Sequence, residues 1–243
     1  MLKYLTAIAL IFTSLHSYAL NFPAPQGDAT PAFDAAVAQL CASPDDRELR
    51  LSAGRYVFNT APQQISCAVT IEGQGKGATV LVRDYSASTF LYWTIGGDQG
   101  GGGVKNLNIL SGPNTHGGIA IYVQAKQDIN CNVTSYNRHS FTIDNVLIGR
   151  SEIGASDWYI PVYMDGSQNP GNNGCAPGLR GIDVFRTSVA AYTVGAFWNY
   201  AVYGAFYHDV DCYIPLNGAF AGIAWQASNS PYVVSRTCAF KSF

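Results

Sequence analysis

The segment Leu49-Arg50-Leu51-Ser52-Ala53-Gly54-Arg55-Tyr56-Val57-Phe58 restricts this chain more than any other. Leu49 and Leu51, then Tyr56 and Phe58, alternate with polar or smaller neighbours, the period-2 pattern of half-buried strands. Ser52-Ala53-Gly54 interrupts the run, so the segment reads as two very short strands around a tight corner. Upstream, Phe33, Ala36, Val37 and Leu40 fall at i, i+3, i+4 and i+7, which predicts a helix over roughly 31–42. Thr30 offers an N-cap hydroxyl and Pro31 occupies the favoured first helical position.

A helix, then a cysteine, then x-L-x-L-S-A-G-x-Y-x-F resembles the first turn of right-handed parallel β-helices of the pectate-lyase-like superfamily, phage tailspikes included. The resemblance implies an all-β fold: a right-handed, single-stranded, parallel β-helix (a pectin-lyase-like solenoid) capped by the short N-terminal helix. In that setting the stripe of Phe33, Val37 and Leu40 covers the open end of the first coil, whose unpaired edge would otherwise invite aggregation. An ordinary β-sandwich is the competing architecture, since strands every 8–12 residues suit it as well.

Further short strands fit either fold: Ala68–Gly73, Thr79–Val82, Phe90–Ile95 and Val104–Leu110. The loop Gln74-Gly75-Lys76-Gly77 superficially suggests a phosphate cradle, but no helix and no Lys-Ser/Thr pair follow it, so it reads as a turn. A weak repeat runs through Asn106–Gly112, Asp144–Gly149, Ile182–Arg186, His208–Cys212 and Val234–Cys238. It makes Asp144, Asp183 and Asp209 equivalent, with steps of 26 residues from Asp183 to Asp209 and from Cys212 to Cys238. Stacking such units builds a core that one unit cannot build alone, and six to eight coils are expected. The long intervals, roughly 112–118, 124–140 and 150–178, then read as loops.

Residues 1–19 have the form of a secretory signal: Lys3, an apolar run from Leu5 to Leu15, and Ser17-Tyr18-Ala19 as a small-x-small cleavage site. Residues 20–243 then form a single domain, secreted, periplasmic or at the cell surface, with no transmembrane span after signal removal. The run is short of the about 20 apolar residues that a span needs. All six cysteines, Cys41, Cys67, Cys131, Cys175, Cys212 and Cys238, lie beyond it, an even count that points to disulfides. Fifteen connectivities are open to six cysteines; Cys41–Cys67 is preferred, tying the end of the helix to the next coil. No C-x-x-C spacing or His–Cys pairing suggests a metal. The sequon Asn132-Val133-Thr134 carries no weight without a eukaryotic host.

Charged residues make up only 12% of the chain and the net charge is −2. With no basic run, nucleic acid is excluded as a partner. The resemblance implies instead a polysaccharide or glycan partner, acidic or surface-bound, and a hydrolase or lyase as the candidate chemistry. Hydrolysis needs two carboxylates and a lyase needs a base with a cation, calcium included, to neutralise a uronate. Asp144, Asp183 and Asp209, with Asp211, His208, Arg180 and Arg186 beside them, are the candidate catalytic residues. Each also reads simply as a corner residue bonded to its own backbone. The superfamily's polygalacturonase and calcium-dependent pectate lyase motifs are absent, Asn114-Thr115-His116-Gly117-Gly118 being only a shadow of G-H-G.

Aromatic side chains are abundant, and Trp and Tyr rings suit sugars because they join an apolar face to a polar tip. Trp158, Tyr159 and Tyr163, then Trp198, Tyr200 and Tyr203, are the candidate substrate-binding residues, although alternate strand positions must face the core. Three functions compete: a polysaccharide-active enzyme, a non-catalytic glycan- or receptor-binding protein, and a structural or assembly protein packing against copies of itself as a homo-oligomer.

Overall fold

The computed structural model describes residues 18–43, 47–95, 101–115, 117–125, 141–151, 157–166, 179–190, 193–200, 202–213, 221–226 and 238–241. For residues 18, 180, 203, 204, 221–226 and 238–241 the backbone alone is described. The chain begins with β1 (Tyr18–Phe22) and α1 (Thr30–Cys41), and every later regular element among the described residues is a strand. β2 (Arg47–Leu51) and β3 (Gly54–Phe58) flank the expected corner; β4 (Val69–Glu72), β5 (Thr79–Arg83) and β6 (Thr89–Ile95) follow. Next come β7 (Gly103–Ser111), β8 (Ile119–Ala125), β9 (Phe141–Arg150) and β10 (Ile160–Asp165). The remainder is β11 (Leu179–Phe185), β12 (Ser188–Val189), β13 (Gly195–Tyr200), β14 (Val202–His208), β15 (Val210–Tyr213), β16 (Ala221–Gln226) and β17 (Cys238–Lys241).

Every ladder among these strands is parallel. A twelve-stranded sheet runs β1-β2-β4-β7-β9-β12-β15-β17 with β3, β5, β11 and β14 alongside, and a five-stranded sheet runs β16-β13-β10-β8-β6. Parallel neighbours need a long crossover, usually a helix. Here strands supply it: the route from β7 to β9 passes through β8, and that from β9 to β11 through β10.

Register converts alternation into columns. Leu49, Ile71, Val104, Ile143, Val184 and Tyr207 stand opposite one another in successive strands and are all buried. Tyr56, Leu81, Ile109, Ile148, Val189 and Cys212 form a second column, and Leu91, Ile121, Val162 and Phe197 a third, from the smaller sheet. Each large apolar side chain removed from water contributes about 1.5–3 kcal/mol, so stacked columns of this length account for the core.

The large sheet bends along a line of its own. β7 pairs with β4 over Gly103–Lys105 and with β5 over Asn108–Ser111. At the bend Asn106 and Asn145 adopt φ of 55° and 54°, and Arg186 and Asp209 continue the line at 45° and 52°. Asn145 Nδ2 donates to Asn106 Oδ1 at 2.9 Å, and Asn106 Nδ2 donates to Glu72 Oε1 at 2.8 Å. Asparagine and aspartate tolerate this left-handed conformation better than other side-chain-bearing residues.

This register corrects the sequence repeat. Asp144 stands opposite Phe185, which stands opposite His208; Asp183 stands between Thr142 and Phe206. Asp209 lies one residue beyond, in the bend with Asn145 and Arg186. Cys238 pairs with Val210, so Cys212 and Cys238 are not equivalent either. The interval 150–178 is not a loop throughout, because it contains β10.

α1 has the expected span and buries Phe33, Ala36, Val37 and Leu40 against β1, β2 and β4. The Phe33 ring meets Phe58 edge-on at 5.3 Å. Thr30, expected at the N-cap, is instead the first helical residue, and Ala29 precedes it without a side-chain cap. Cys41 and Cys67 are bridged, as preferred from the sequence, with Cα atoms 5.5 Å apart. Cys212 is also disulfide-bonded, while Cys131 and Cys175 lie outside the described residues.

Candidate functional site

Charge is distributed unevenly between the two sheets. The strands of the large sheet hold Arg50, Glu72, Lys105 and Asp144 in one outward column, each opposite a residue of opposite sign. Glu48 sits two residues before Arg50 and pairs with it at 2.7 Å. Hydrogen bonding between the Glu48 and Glu72 carboxyls pulls the two apart, holding Glu48 below the ordinary range and Glu72 above it. Both remain within reach of Lys105.

Five of the predicted catalytic residues, Asp144, Arg186, His208, Asp209 and Asp211, lie near one another at the far end of this face without forming the expected carboxylate ladder. Arg186 bridges to Asp144, Nε to Oδ1 at 2.9 Å with Nη2 on the other oxygen. Lys76, carried by the glycine loop after β4, extends its ammonium to the Arg186 carbonyl at 2.6 Å. Burial lowers the lysine's pKa, against the pull of Asp211 and Asp144. His208 stacks on Phe185 with ring centroids 5.9 Å apart. Asp211 stands opposite Ser188 in β12. Asp183 and Asp209 occupy different columns, so an acid–base pair built on their stacking is overturned. Arg180 is described by its backbone alone, opposite Tyr203.

The outward face of the smaller sheet is different in kind. Tyr92, Tyr122, Tyr163 and Trp198 stand in register on successive strands. Tyr92 and Tyr122 stack at 4.7 Å and Tyr122 and Tyr163 at 5.3 Å, with interplanar angles of 25° and 8°. These separations follow the inter-strand spacing of about 4.8 Å, so the backbone register itself enforces the stack. Two residues on, Thr94, Gln124, Asp165 and Tyr200 form a parallel column.

Hydrogen bonds join the two columns in one direction. The Tyr92 hydroxyl donates to Gln124 Oε1, Gln124 Nε2 donates to the Tyr122 oxygen at 3.1 Å, and the Tyr122 hydroxyl donates to Asp165 Oδ2 at 2.8 Å. Burial, then the bond to Asp165, pushes the Tyr122 phenol far up, so it remains a donor at any physiological pH.

Of the predicted substrate-binding residues, Tyr163, Trp198 and Tyr200 lie together on this face, all half-buried. Tyr159 is 55% exposed beside Gly117, where a Cβ would strike its ring at 2.4 Å. Trp158 is a correction: it is fully buried, its indole N–H bonded to the Gly149 carbonyl at 2.7 Å. Arg83, itself fully buried, lies over the Trp158 ring at 5.3 Å and over Tyr85 at 5.1 Å. Tyr203 is described by its backbone alone. Tyr92, Tyr122, Gln124 and Asp165 were missed, although their strand parity, opposite to Leu91, Ile121 and Val162, is readable in the sequence.

Among the described residues no group of His, Cys, Asp and Glu is arranged to hold a metal, and no helix is long and apolar enough to cross a membrane. Comparison with protein-family models, curated proteins and solved structures finds no match to this chain.

Proposed function

We propose that this is an exported carbohydrate-binding protein on a right-handed parallel β-helix of the pectate-lyase-like kind, and that it holds glycan on the outward face of the smaller sheet. The observation that carries the reading is the register-enforced stack of Tyr92, Tyr122 and Tyr163, continued by Trp198 and wired to Gln124 and Asp165. Half-buried aromatics with fixed polar groups beside them are the usual means of orienting a sugar. Parallel ladders joined through strands, the column of left-handed residues and the helix against the first strands support the scaffold. The signal-like residues 1–19 and the Cys41–Cys67 bridge support export.

Binding rather than turnover is the activity proposed. The aspartates expected to stack as an acid–base pair, Asp183 and Asp209, are not in register, and Asp144 is paired with Arg186. The test is retention of the oxidised protein, residues 20–243, on a panel of immobilised polysaccharides. Wild type is retained on at least one member. Tyr163→Ala loses that retention while keeping the wild-type thermal midpoint. Passage of wild type through every column overturns the reading.

A further inference from the structure

The five strands of the smaller sheet contain a single charged residue, Asp165, and no lysine or arginine. The strands of the larger sheet carry eight basic residues, Arg50 and Lys105 on its outward face among them. This segregation chooses between classes of glycan. A uronate or sulfate brought against the aromatic face gives up water and meets no cation from these five strands in exchange, and an unpaired ion is costly to desolvate. It also meets Asp165, which has the same sign.

The direction of the hydrogen bonds points the same way. Tyr92 and Tyr122 spend their hydroxyl hydrogens on Gln124 and Asp165, so what their oxygens keep for a ligand is lone pairs. The phenol oxygens of this face accept hydrogen bonds beside the one N–H that Gln124 has left, and uncharged sugars arrive with hydroxyls that can donate to the first and accept from the second.

Resting on the glycan-binding reading above, we infer that the ligand is an uncharged, hydroxyl-rich polysaccharide and that acidic polymers are excluded from this face. The experiment compares retention on a neutral galactomannan or xyloglucan with that on polygalacturonate, at low and at high salt. Wild type is retained by a neutral polymer at both salt concentrations, because no ion pair is there to be screened. Tyr122→Phe, which keeps the ring and removes the hydroxyl, weakens that retention about tenfold, equivalent to ~1.4 kcal/mol. Lys105→Ala, on the opposite sheet, leaves it unchanged. Retention by polygalacturonate equal to or stronger than by the neutral polymers, abolished by salt or by Lys105→Ala, overturns this inference and leaves the glycan-binding reading standing. Retention by none of the three polymers, if other members of the panel also fail, overturns both.

Discussion

One oxygen of Asp28 accepts both the backbone amide and the hydroxyl of Thr30, at 3.0 and 2.7 Å, where α1 begins. The same atom takes the amide of Asn59 at 3.1 Å, so a carboxylate outside the helix ties its first turn to the end of β3. Burial alone would raise the Asp28 pKa; the hydrogen bonds outweigh it and hold the carboxyl below its ordinary value of 3.8.

A group depressed in the folded state stabilises the protein above its unfolded pKa, and the contribution is lost as pH falls through the folded value. Stability should therefore decline below about pH 4, the unfolded value of an aspartate. Asp28→Ala should be less stable at neutral pH and should flatten that acid limb. Urea midpoints measured from pH 7 to pH 3 check this, and parallel curves for the two proteins would refute it.

Phe33→Ala should destabilise by about 3–5 kcal/mol, the range for a fully buried phenylalanine whose cavity cannot collapse. The ring is 1% exposed and packs edge-on to Phe58. A loss below ~1 kcal/mol in denaturant unfolding would fall outside the range for such a site, and would mean that α1 is not docked.

Arg83 is a buried cation bonded to carbonyls, not to a carboxylate. Nε donates to Tyr85 O at 3.2 Å, Nη1 to Gly117 O at 3.1 Å and Nη2 to Ala87 O. Arg83→Ala orphans all three acceptors at roughly 1–3 kcal/mol each, so a loss of at least ~3 kcal/mol is expected. Arg83→Lys should recover only part of it, because an ammonium lacks the planar fork. Full recovery by lysine in equilibrium unfolding would show that charge alone suffices.

The bridge between Cys41 and Cys67 closes a separation of 26 residues. On the chain-entropy account, a loop of that size contributes roughly 3–4 kcal/mol by restricting the unfolded state. The double variant Cys41→Ser, Cys67→Ser should lose that amount, and reduction of wild type should add no less. Denaturation with and without reductant measures both.

Asp209 occupies the bend at a φ of 52° and is exposed. Asp209→Gly should be tolerated, whereas Asp209→Val should cost about 1–2 kcal/mol, the left-handed penalty for a side chain unsuited to it. Equal stability of the two variants would mean that the bend relaxes.

The sequence announced some of this fold and concealed the rest for identifiable reasons. α1, β2 through β7 and the Cys41–Cys67 pairing were legible because local periodicity and burial coincide there. The repeat was matched on aspartate identity. Inward parity would have aligned Val104, Ile143, Val184 and Tyr207 and placed Asp183 away from Asp209. β10 was hidden by Pro161 and by neighbours rich in Gly, Asn and Asp, which usually mark loops. Trp158 looked like a surface aromatic because its partners are distant in sequence: Arg83 lies 75 positions earlier. Of the aromatic face, Tyr163, Trp198 and Tyr200 were found, while Tyr92 and Tyr122 sit in apolar strands whose neighbours give no local sign of an outward aromatic column.

At the bend of the large sheet, asparagine, asparagine, arginine and aspartate occupy one backbone conformation in turn. The main chain there asks only for tolerance of positive φ; the Asn106 and Asn145 side chains are tied by their own hydrogen bonds, whereas Arg186 and Asp209 carry opposite charges in the same conformation. Shape and chemistry are thus uncoupled at those last two positions. A cation and an anion succeed one another at Arg186 and Asp209 in the same backbone conformation, so that end of the seam, beyond the hydrogen-bonded Asn106 and Asn145, is where a descendant of this chain could acquire a new surface while keeping its fold.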